Sequence, residues 1–300
     1  MVRVIAAPGS FVDNTLPAET GRVRSLLRFA RRRPLGVIGL GILVVMALAA
    51  IFAPVIAPYD FDTPDFTARL QSPSDEHLLG TDQLGRDILT RVIWGTRVSL
   101  GVSLAAVALA QGTAAALAIF SGYFGGWTDT IVQRFVDVWQ ALPTLIIVIT
   151  LVGVVGPSLG VLIAIVGLAT APRAARLIRS VVVQVREEPY IEAAQAIGVP
   201  HTQIMTRYIL PNVAHVMMYS ATVSLGSVIL IVTSLGFLGY GIPPPQPDLG
   251  AMLSGEGLTF MRRQPMIAIA PGVAIALAVF SFNVFGDALR DALDPRLRGR

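Results

Sequence analysis

The 300-residue chain contains no cysteine and no lysine, and only 14% of its residues are charged. The absence of cysteine excludes disulfides, thiolate nucleophiles and cysteine-ligated metal sites. The absence of lysine excludes a standard P-loop, whose lysine contacts the β- and γ-phosphates of a bound nucleotide. The chain therefore cannot act as a standard P-loop ATPase by itself.

Long apolar runs accompany the low charge. Hydrophobic residues make up 54% of the chain and its mean hydropathy is +0.68, whereas soluble domains carry about 25% charged residues. Because a membrane-spanning helix needs roughly 20 apolar residues, we predict an all-α polytopic membrane protein with six transmembrane helices. The predicted spans are residues 35–57, 98–122, 134–155, 158–178, 213–240 and 265–286.

Three of these spans have features that bear on the prediction. Residues 35–57 are longer than the apolar core of a signal peptide and follow a charged tail, so we predict a retained helix. Pro143 lies within the third span, where neighbouring helices can satisfy the freed backbone groups. The fourth span is strongly apolar only as far as Ala171, so an early exit from the membrane or an interfacial position is an alternative for its second half.

The distribution of arginine predicts the orientation. All 23 basic residues are arginine; with six spans and the amino terminus inside, 17 lie on the cytoplasmic side and 6 outside, in line with the positive-inside rule. We therefore predict a multi-pass protein of the cytoplasmic (inner) membrane with both termini in the cytoplasm. The basic pI of about 9.9 then reflects topology, and we predict no nucleic-acid partner.

Charged side chains near the span ends have structural interpretations. Asp137, beside Arg134, and Asp287 are expected to pair or to reach toward the cytoplasmic surface. Three arginines near the end of the fourth span share one helical face. They are Arg173, Arg176 and Arg179. We predict that they form a cytoplasmic collar and pair with Glu187 or Glu188.

Two segments on the predicted outer side are unlike the spans. Residues 59–96 are polar, and the four-residue spacing of Asp87 and Arg91 favours an exposed helix there. The second segment, GIPPPQPDLGAML, holds four prolines within five residues. That composition predicts an extended, stiff connection.

A cytoplasmic helix–turn–helix is predicted between the fourth and fifth spans. Pro189 can begin the first helix, Gly198 can end it, and a second helix from about Thr202 to Leu210 ends at Pro211. Both helices have apolar strips, formed by Ile191, Ala194 and Ile197 in the first and by Ile204, Met205, Tyr208 and Ile209 in the second. Spacing alone leaves two alternatives open: a hairpin resting on lipid headgroups and a docking element for a cytoplasmic partner.

No motif in the sequence supports a catalytic role for this chain. The stretch GPSLG (residues 156–160) matches a nucleophile elbow, but that elbow needs a preceding strand and histidine and acid partners. The three histidines, His77, His201 and His215, have no metal-ligand spacing. We predict a protein without enzymatic activity, without a catalytic residue and without a bound metal.

The predicted hairpin also carries a family resemblance. The stretch EAAQAIGVPHTQIMTRYILPN (residues 192–212) resembles the EAA motif of binding-protein-dependent ABC importer permeases, E-A-A-x3-G-x9-I-x-L-P. The matching residues are Glu192, Ala193, Ala194, Gly198, Leu210 and Pro211, with Tyr208 in place of the isoleucine.

Four further stretches narrow the resemblance to one branch of these permeases. They are GTDQLGRDILTRVIWGTRVSLGV, GPSLGVLIAIVGLATAPRAARLIRS, SLGFLGYGIPPPQPDLGAML and FNVFGDALRDALDPR. They resemble the dipeptide/oligopeptide/nickel permease family, and most of all its second permease subunit, which has one span ahead of a five-helix core. The resemblance covers about residues 30–297.

The resemblance implies a type I importer fold and a set of partners. They are a homologous permease subunit, two ABC ATPase subunits, an extracytoplasmic solute-binding protein and a di- or oligopeptide substrate. ATP and magnesium would bind the ATPase chains, with no cofactor in this chain. The EAA loop would supply the coupling helices, in which Glu192 makes polar contacts and Gly198 permits the sharp turn. Transport would proceed by alternating access.

The resulting domain organisation has five parts. They are an arginine-rich cytoplasmic tail (1–34), a first transmembrane helix (35–57), an external polar segment (58–97), a five-helix core (98–286) with its coupling loop (186–212), and a cytoplasmic tail (287–300). Alternatives within the class are transport of nickel chelates, glutathione or another small solute. An alternative of a different class is a stand-alone secondary carrier, which would require ionisable groups deep in the membrane and internal repeats.

Overall fold

The computed structural model describes residues 34–293, and this part of the chain is built from helices and their connections. In chain order the helices are α1 (Pro34–Ile51), α2 (Ala53–Ile56), α3 (Ile88–Phe124), α4 (Gly126–Ala141), α5 (Thr144–Val155), α6 (Leu159–Arg186), α7 (Pro189–Ala196), α8 (His201–Phe237), α9 (Leu249–Leu253), α10 (Gly255–Phe260) and α11 (Met266–Leu293). The predicted tail at residues 1–34, except Pro34, lies outside the described residues, as do residues 294–300.

Six membrane spans are present if a bent pair of helices is counted as one. Helices α1, α3, α6, α8 and α11 are each long and apolar enough to cross a membrane, and α4 and α5 together pass the same test across an 86° bend. The third span, predicted at residues 134–155 with Pro143 inside it, is therefore a bent pair of helices that begins earlier, at Gly126. Leu142 adopts an extended conformation (φ −95°, ψ 139°) and α4 ends before it, because the residue preceding a proline disfavours the helical region.

The other helix ends also differ from the predicted spans. Helix α3 begins early, at Ile88, because the Asp87 side chain accepts a hydrogen bond from the Thr90 amide and caps it. Helix α6 does not stop near Ala171 but continues to Arg186. It begins after Ser158, whose hydroxyl accepts a hydrogen bond from the Val161 amide, so this serine has a capping role. Helix α11 continues past Asp287 to Leu293.

Helix α8 runs through Pro211, which was predicted to end a separate short helix. The segment Ile204–Ile209 is a π-helix, and the Leu210 amide donates to the Met205 carbonyl, five residues earlier. In a regular α-helix the proline ring would meet the carbonyl four residues before it. The wider π turn changes that geometry, and the chain passes without a break into the fifth span.

The parallel helices α3 and α6 approach each other closely at the centre of the bundle. A Cβ added at Gly167 of α6 would lie 2.9 Å from the Ala106 carbonyl oxygen of α3, and one at Gly122 would lie 2.8 Å from Val182 Cγ1. Other small residues are buried along the two helices, among them Ala110, Ala114, Ala118, Ala169, Ala171, Ala174 and Ala175. Small side chains let helix backbones come together, which is the main source of helix association in lipid.

The connection between α2 and α3 is held by a buried carboxylate. Asp82 accepts hydrogen bonds from the Leu84 and Arg86 amides at 2.8 and 2.9 Å and from Arg86 Nε at 2.7 Å, and it also pairs with Arg91. Asp87 and Arg91 are both buried, so the predicted exposure of this helical start was wrong. Two buried arginines sharing a carboxylate fix this connection to the start of α3.

Residues 241–248 of the proline-rich segment are not helical, as predicted, but its last five residues form α9 (Leu249–Leu253), so the prediction for that part was wrong. The connection closes on a buried aspartate. The Asp248 carboxylate accepts hydrogen bonds from the amides of Ile242, Gly250 and Ala251, at 3.3, 2.7 and 3.2 Å. Burial raises the pKa of this carboxyl, although the three amides act in the opposite direction. Helix α9 then packs between α8 and α11.

We predict that Gly167→Leu prevents stable folding of the chain. The new side chain would have to enter the space where α3 approaches α6, and overpacking of this kind costs about 1–3 kcal/mol or more. The matched control is Gly160→Leu in the same helix, where an added Cβ meets nothing within 4 Å. Thermal unfolding and size-exclusion profiles in detergent should show loss of the Gly167 variant only. Equal stability of the two variants would contradict the close packing.

Candidate functional site

The stretch that resembles the EAA motif forms a helical hairpin at one end of the bundle. It consists of α7 and the first turns of α8, and we call it the coupling hairpin (residues 189–211). Its turn is set by Gly198, whose φ of +78° is unfavourable for residues with a Cβ. The Gly198 and Val199 amides donate to the carbonyls of Gln195 and Ala194, both at 3.0 Å, which is the Schellman pattern. The predicted helix end and sharp turn are confirmed.

The apolar strips of the hairpin are buried inside the protein. Ile191 and Ala194 of α7, with Ile204 and Ile209 of α8, belong to one core cluster with residues of α3 and α6. The members contributed by α3 and α6 include Ala114, Ala118, Ile119, Tyr123, Ala174, Ile178 and Val182. These four hairpin side chains are therefore not available to rest on lipid headgroups. The hairpin is anchored to two spanning helices.

The opposite side of the hairpin is exposed. Glu192 and Ala193 of the motif are exposed on α7 while Ala194 is buried. Ile197 was predicted to share the apolar strip of α7, but unlike Ile191 and Ala194 it is 81% exposed, because it precedes Gly198 in the turn and no longer follows the helical face. In α8, Leu210 and Pro211 are exposed and Tyr208 is half-buried. The surface offered to solvent is thus mixed: polar side chains such as Gln195 and Arg207 lie among exposed apolar ones, of which Ile197 is the most exposed.

A polar cleft of about 420 Å³ lies beside α7 and includes Glu192. The Tyr123 hydroxyl at the end of α3 is hydrogen-bonded to His201 Nδ1 at 2.6 Å, and Gln195 Nε2 donates to the same hydroxyl at 3.4 Å. Arg186 and Glu187 complete the polar lining of this cleft. Sequence reasoning missed Tyr123 and its contact with His201, because no local pattern links residues so far apart in the chain.

The arginines of α6 pair with α4, which contradicts the predicted pairing with Glu187 or Glu188. Arg176 contacts Asp137 at 2.5 Å, and Arg179 binds Asp129 through both carboxylate oxygens. Arg134 is 3.9 Å from Asp137. Helix α4 lies antiparallel beside α6, so that Asp129 and Asp137 of α4 lie level with the arginines of α6. Glu187 and Glu188 instead follow the end of α6 itself.

A second cavity, of about 370 Å³, lies at the bend between α4 and α5, and we call it the elbow cavity. Its walls are the bend at residues 139–144, the middle of α6 and the middle of α8. Trp139 Nε1 donates to the Ala169 carbonyl and Gln140 Nε2 to the Pro172 carbonyl, each at 3.2 Å. These two bonds attach the bend to α6. Arg173 faces the cavity and has no acidic partner among the described residues 34–293.

Comparison with known proteins identifies related transport subunits. Residues 114–299 match the family described as binding-protein-dependent transport system inner membrane component, and residues 23–73 match the N-terminal TM domain of oligopeptide transport permease C. The dipeptide transport system permease protein DppC of Alkalihalophilus pseudofirmus is 38% identical over 92% of this chain and 90% of the relative. The glutathione transport system permease protein GsiD of Escherichia coli O157:H7 is 36% identical over 90% of this chain and 89% of the relative.

A solved structure gives a weaker likeness. An amino acid ABC transporter with histidines aligns over 70% of this chain and 94% of that chain, with 15% identity and a TM-score of 0.48. The family assignment rests instead on the sequence matches, which cover nearly the whole chain and include both the first span and the core. The chain belongs to the family of binding-protein-dependent transport system inner membrane components and is a permease subunit of an ABC importer.

Proposed function

We propose that this subunit forms, with a homologous permease chain, the pore through which di- and oligopeptides enter the cell. Two ATPase chains that bind ATP and magnesium supply the energy, and an extracytoplasmic binding protein delivers the solute. The observation that carries the proposal is the coupling hairpin: one side is anchored in the bundle and the opposite side, with both polar and apolar side chains, is exposed and available to a partner. This chain itself performs no covalent chemistry.

The anchoring of the hairpin suits it to transmit movement. Helix α7 follows α6 after two residues, and the second arm of the hairpin is the beginning of α8. A displacement of the hairpin by the ATPases would therefore move the ends of two spanning helices together. Alternating access needs such a switch between two arrangements of packed helices. The proposed ATPase-coupling residues are Glu192, Ala193, Ala194, Gly198, Tyr208, Leu210 and Pro211.

These coupling residues have different proposed roles. Glu192 offers an exposed carboxylate beside the polar cleft, and Ala193 leaves room for close approach of the partner. Ala194 and Tyr208 fix the hairpin to the core, since Ala194 is buried there and Tyr208 packs against it. Gly198 sets the turn, and the aliphatic side chain beside it, Ile197, is the most exposed apolar group of the hairpin.

We propose that the hairpin end of the bundle faces the cytoplasm and that both termini lie there. The 17-to-6 division of arginine supports this orientation. The domain limits predicted from the sequence are proposed on the same basis: tails at 1–34 and 287–300, an external segment at 58–97, and a core at 98–286. The orientation places the hairpin within reach of soluble ATPases.

A peptide substrate is favoured by the similarity to the dipeptide permease DppC. Glutathione is the second candidate, since GsiD has nearly the same identity; nickel chelates remain a further alternative. A reconstituted transporter with its binding protein would distinguish them through ATP-dependent uptake of labelled alanyl-alanine, with glutathione and nickel–histidine as competitors. Uptake by this chain alone, driven by an ion gradient, would instead support a secondary carrier.

We predict that Ile197→Asp abolishes coupling without affecting the fold. The side chain is 81% exposed, so a carboxylate costs little in the free subunit, but it would remain unpaired and desolvated in an interface. The expected result is at least a tenfold loss of peptide uptake and of ATPase co-purification, with normal thermal unfolding of the subunit. The control variant Ile197→Leu should retain both peptide uptake and ATPase co-purification. Normal uptake by the aspartate variant would exclude this surface as the docking site.

The turn at Gly198 gives an independent prediction. At φ +78° a residue with a Cβ is strained by about 1–2 kcal/mol, but asparagine tolerates this region better than other residues. An added Cβ at Gly198 meets no atom within 4 Å, so strain rather than a clash should decide the outcome. We expect Gly198→Asn to keep most of the peptide uptake and Gly198→Val to lose it while ATP hydrolysis continues. Equal uptake by the two variants would argue against a requirement for this turn.

A further inference from the structure

The elbow cavity is an open pocket on the flank of the helical bundle: Arg173, Ser227 and residues 140–143 are exposed, whereas Ala169 and Val228 of its lining are buried. Arg173 is 14 residues after the first residue of α6, which corresponds to about 21 Å of helix. Ser227 is 10 residues before the end of α8, or about 15 Å. In the proposed orientation these positions lie inside the membrane-spanning part of the bundle, between its centre and the cytoplasmic side. A cavity of about 370 Å³ at this depth falls within the range of about 300–1,000 Å³ for small-molecule sites.

About half of the cavity lining is polar although the surrounding helices are apolar. Thr144, Thr170, Ser224 and Ser227 contribute hydroxyl groups, together with the amide of Gln140. The helix break at Leu142 adds backbone carbonyl groups to the lining, because the last four carbonyls of a helix have no hydrogen-bond partner within that helix. Polar groups within a membrane span are costly and usually serve a water-filled path or a ligand. The elbow cavity therefore has the character of a solute path.

Arg173 gives this cavity a positive charge. The two other arginines on the same face, Arg176 and Arg179, are paired with Asp137 and Asp129. Asp137 also lies close to Arg134, so this carboxylate already has two arginine neighbours other than Arg173. Arg173 is the one ionisable side chain that lines the described cavity. A guanidinium at this depth is stabilised by an anion, and its planar fork matches a carboxylate with two hydrogen bonds.

We propose that the elbow cavity is a transient binding subsite for a carboxylate group of the transported solute, held by Arg173 and by the hydroxyls of Ser224 and Ser227. The inference rests on the proposed peptide transport, because every peptide with a free carboxyl terminus presents this group. Both serines lie on α8 and Arg173 lies on α6, so the subsite bridges the two helices that continue into the coupling hairpin. A phosphate, from a lipid headgroup or in solution, is the other anion that this chemistry would accept.

The absence of cysteine from the natural chain permits a direct test. Val223→Cys places a single thiol of this chain in the cavity wall without replacing a group proposed to hold the carboxylate. In the complete purified transporter, maleimide labelling of that thiol is followed by mass spectrometry of this subunit. The probes are alanyl-alanine, alanyl-alanine amide and inorganic phosphate, added in excess. Because labelling reports occupancy of the cavity itself, the preference of the binding protein does not enter the result.

We expect alanyl-alanine to slow labelling about fivefold or more and its amide to have little effect. Adding Arg173→Gln should remove the protection, whereas Arg134→Gln should preserve it, since Arg134 is 81% exposed and does not line the cavity. Recovery of all subunits in each purified complex shows that assembly is intact.

Two kinds of result would overturn the proposed subsite. One is equal protection by the acid and the amide, or protection that survives Arg173→Gln. The other is protection by phosphate alone, which would indicate a phosphate site. Uptake of labelled alanyl-alanine by the wild-type transporter tests the proposed substrate separately. No uptake together with carboxylate-dependent protection would contradict the peptide substrate and retain the subsite, whereas uptake without protection would contradict only the subsite.

Discussion

The close contact between α3 and α6 is the constraint on which the other elements depend. In lipid, apolar side chains gain little by leaving their surroundings, so helices associate through close packing and polar contacts. Gly167 and the row of alanines on the two helices permit this contact. Helices α4 and α5 then pack along α6, and the coupling hairpin is fixed to the neighbouring ends of α3 and α6. Gln111 of α3 adds a buried hydrogen bond to Ser220 of α8, at 3.1 Å.

The break between α4 and α5 is accommodated because it is attached to α6 and lines a partly polar cavity, with residues 140–143 themselves exposed in this subunit. Irregular backbone within a membrane is tolerated only when it is buried or lines a polar cavity. Here Trp139 and Gln140 bond to α6 carbonyls, and hydroxyl-bearing residues surround the remaining space. The same break that Pro143 imposes on the span therefore creates the elbow cavity.

Local chemistry allowed part of this structure to be predicted from the sequence. The apolar runs indicated the spanning helices, and Gly198 followed by Pro200 indicated the hairpin turn, because these features depend on residues close together in the chain. The pairs Arg176–Asp137 and Arg179–Asp129 could not be predicted, because they depend on the height at which α4 lies beside α6. The burial of Ile191 and the exposure of Ile197 likewise depend on tertiary packing. The arrangement around Arg173 requires both the break and α8.

The proposed docking surface and the proposed carboxylate subsite are joined by continuous helices. Helix α8 runs from His201, in the hairpin, to beyond Ser227, in the cavity wall, and α6 leads from Arg173 toward α7. A movement of the hairpin would therefore change the distance between the arginine and the serines only if α6 and α8 moved by different amounts. The two helices are attached to the hairpin differently, which would allow unequal movement. Helix α6 joins α7 through a short connection, whereas α8 contains the π segment at Ile204–Ile209. In the proposed cycle, ATP-driven displacement of the hairpin would separate the two walls of the subsite and weaken its hold on the carboxylate.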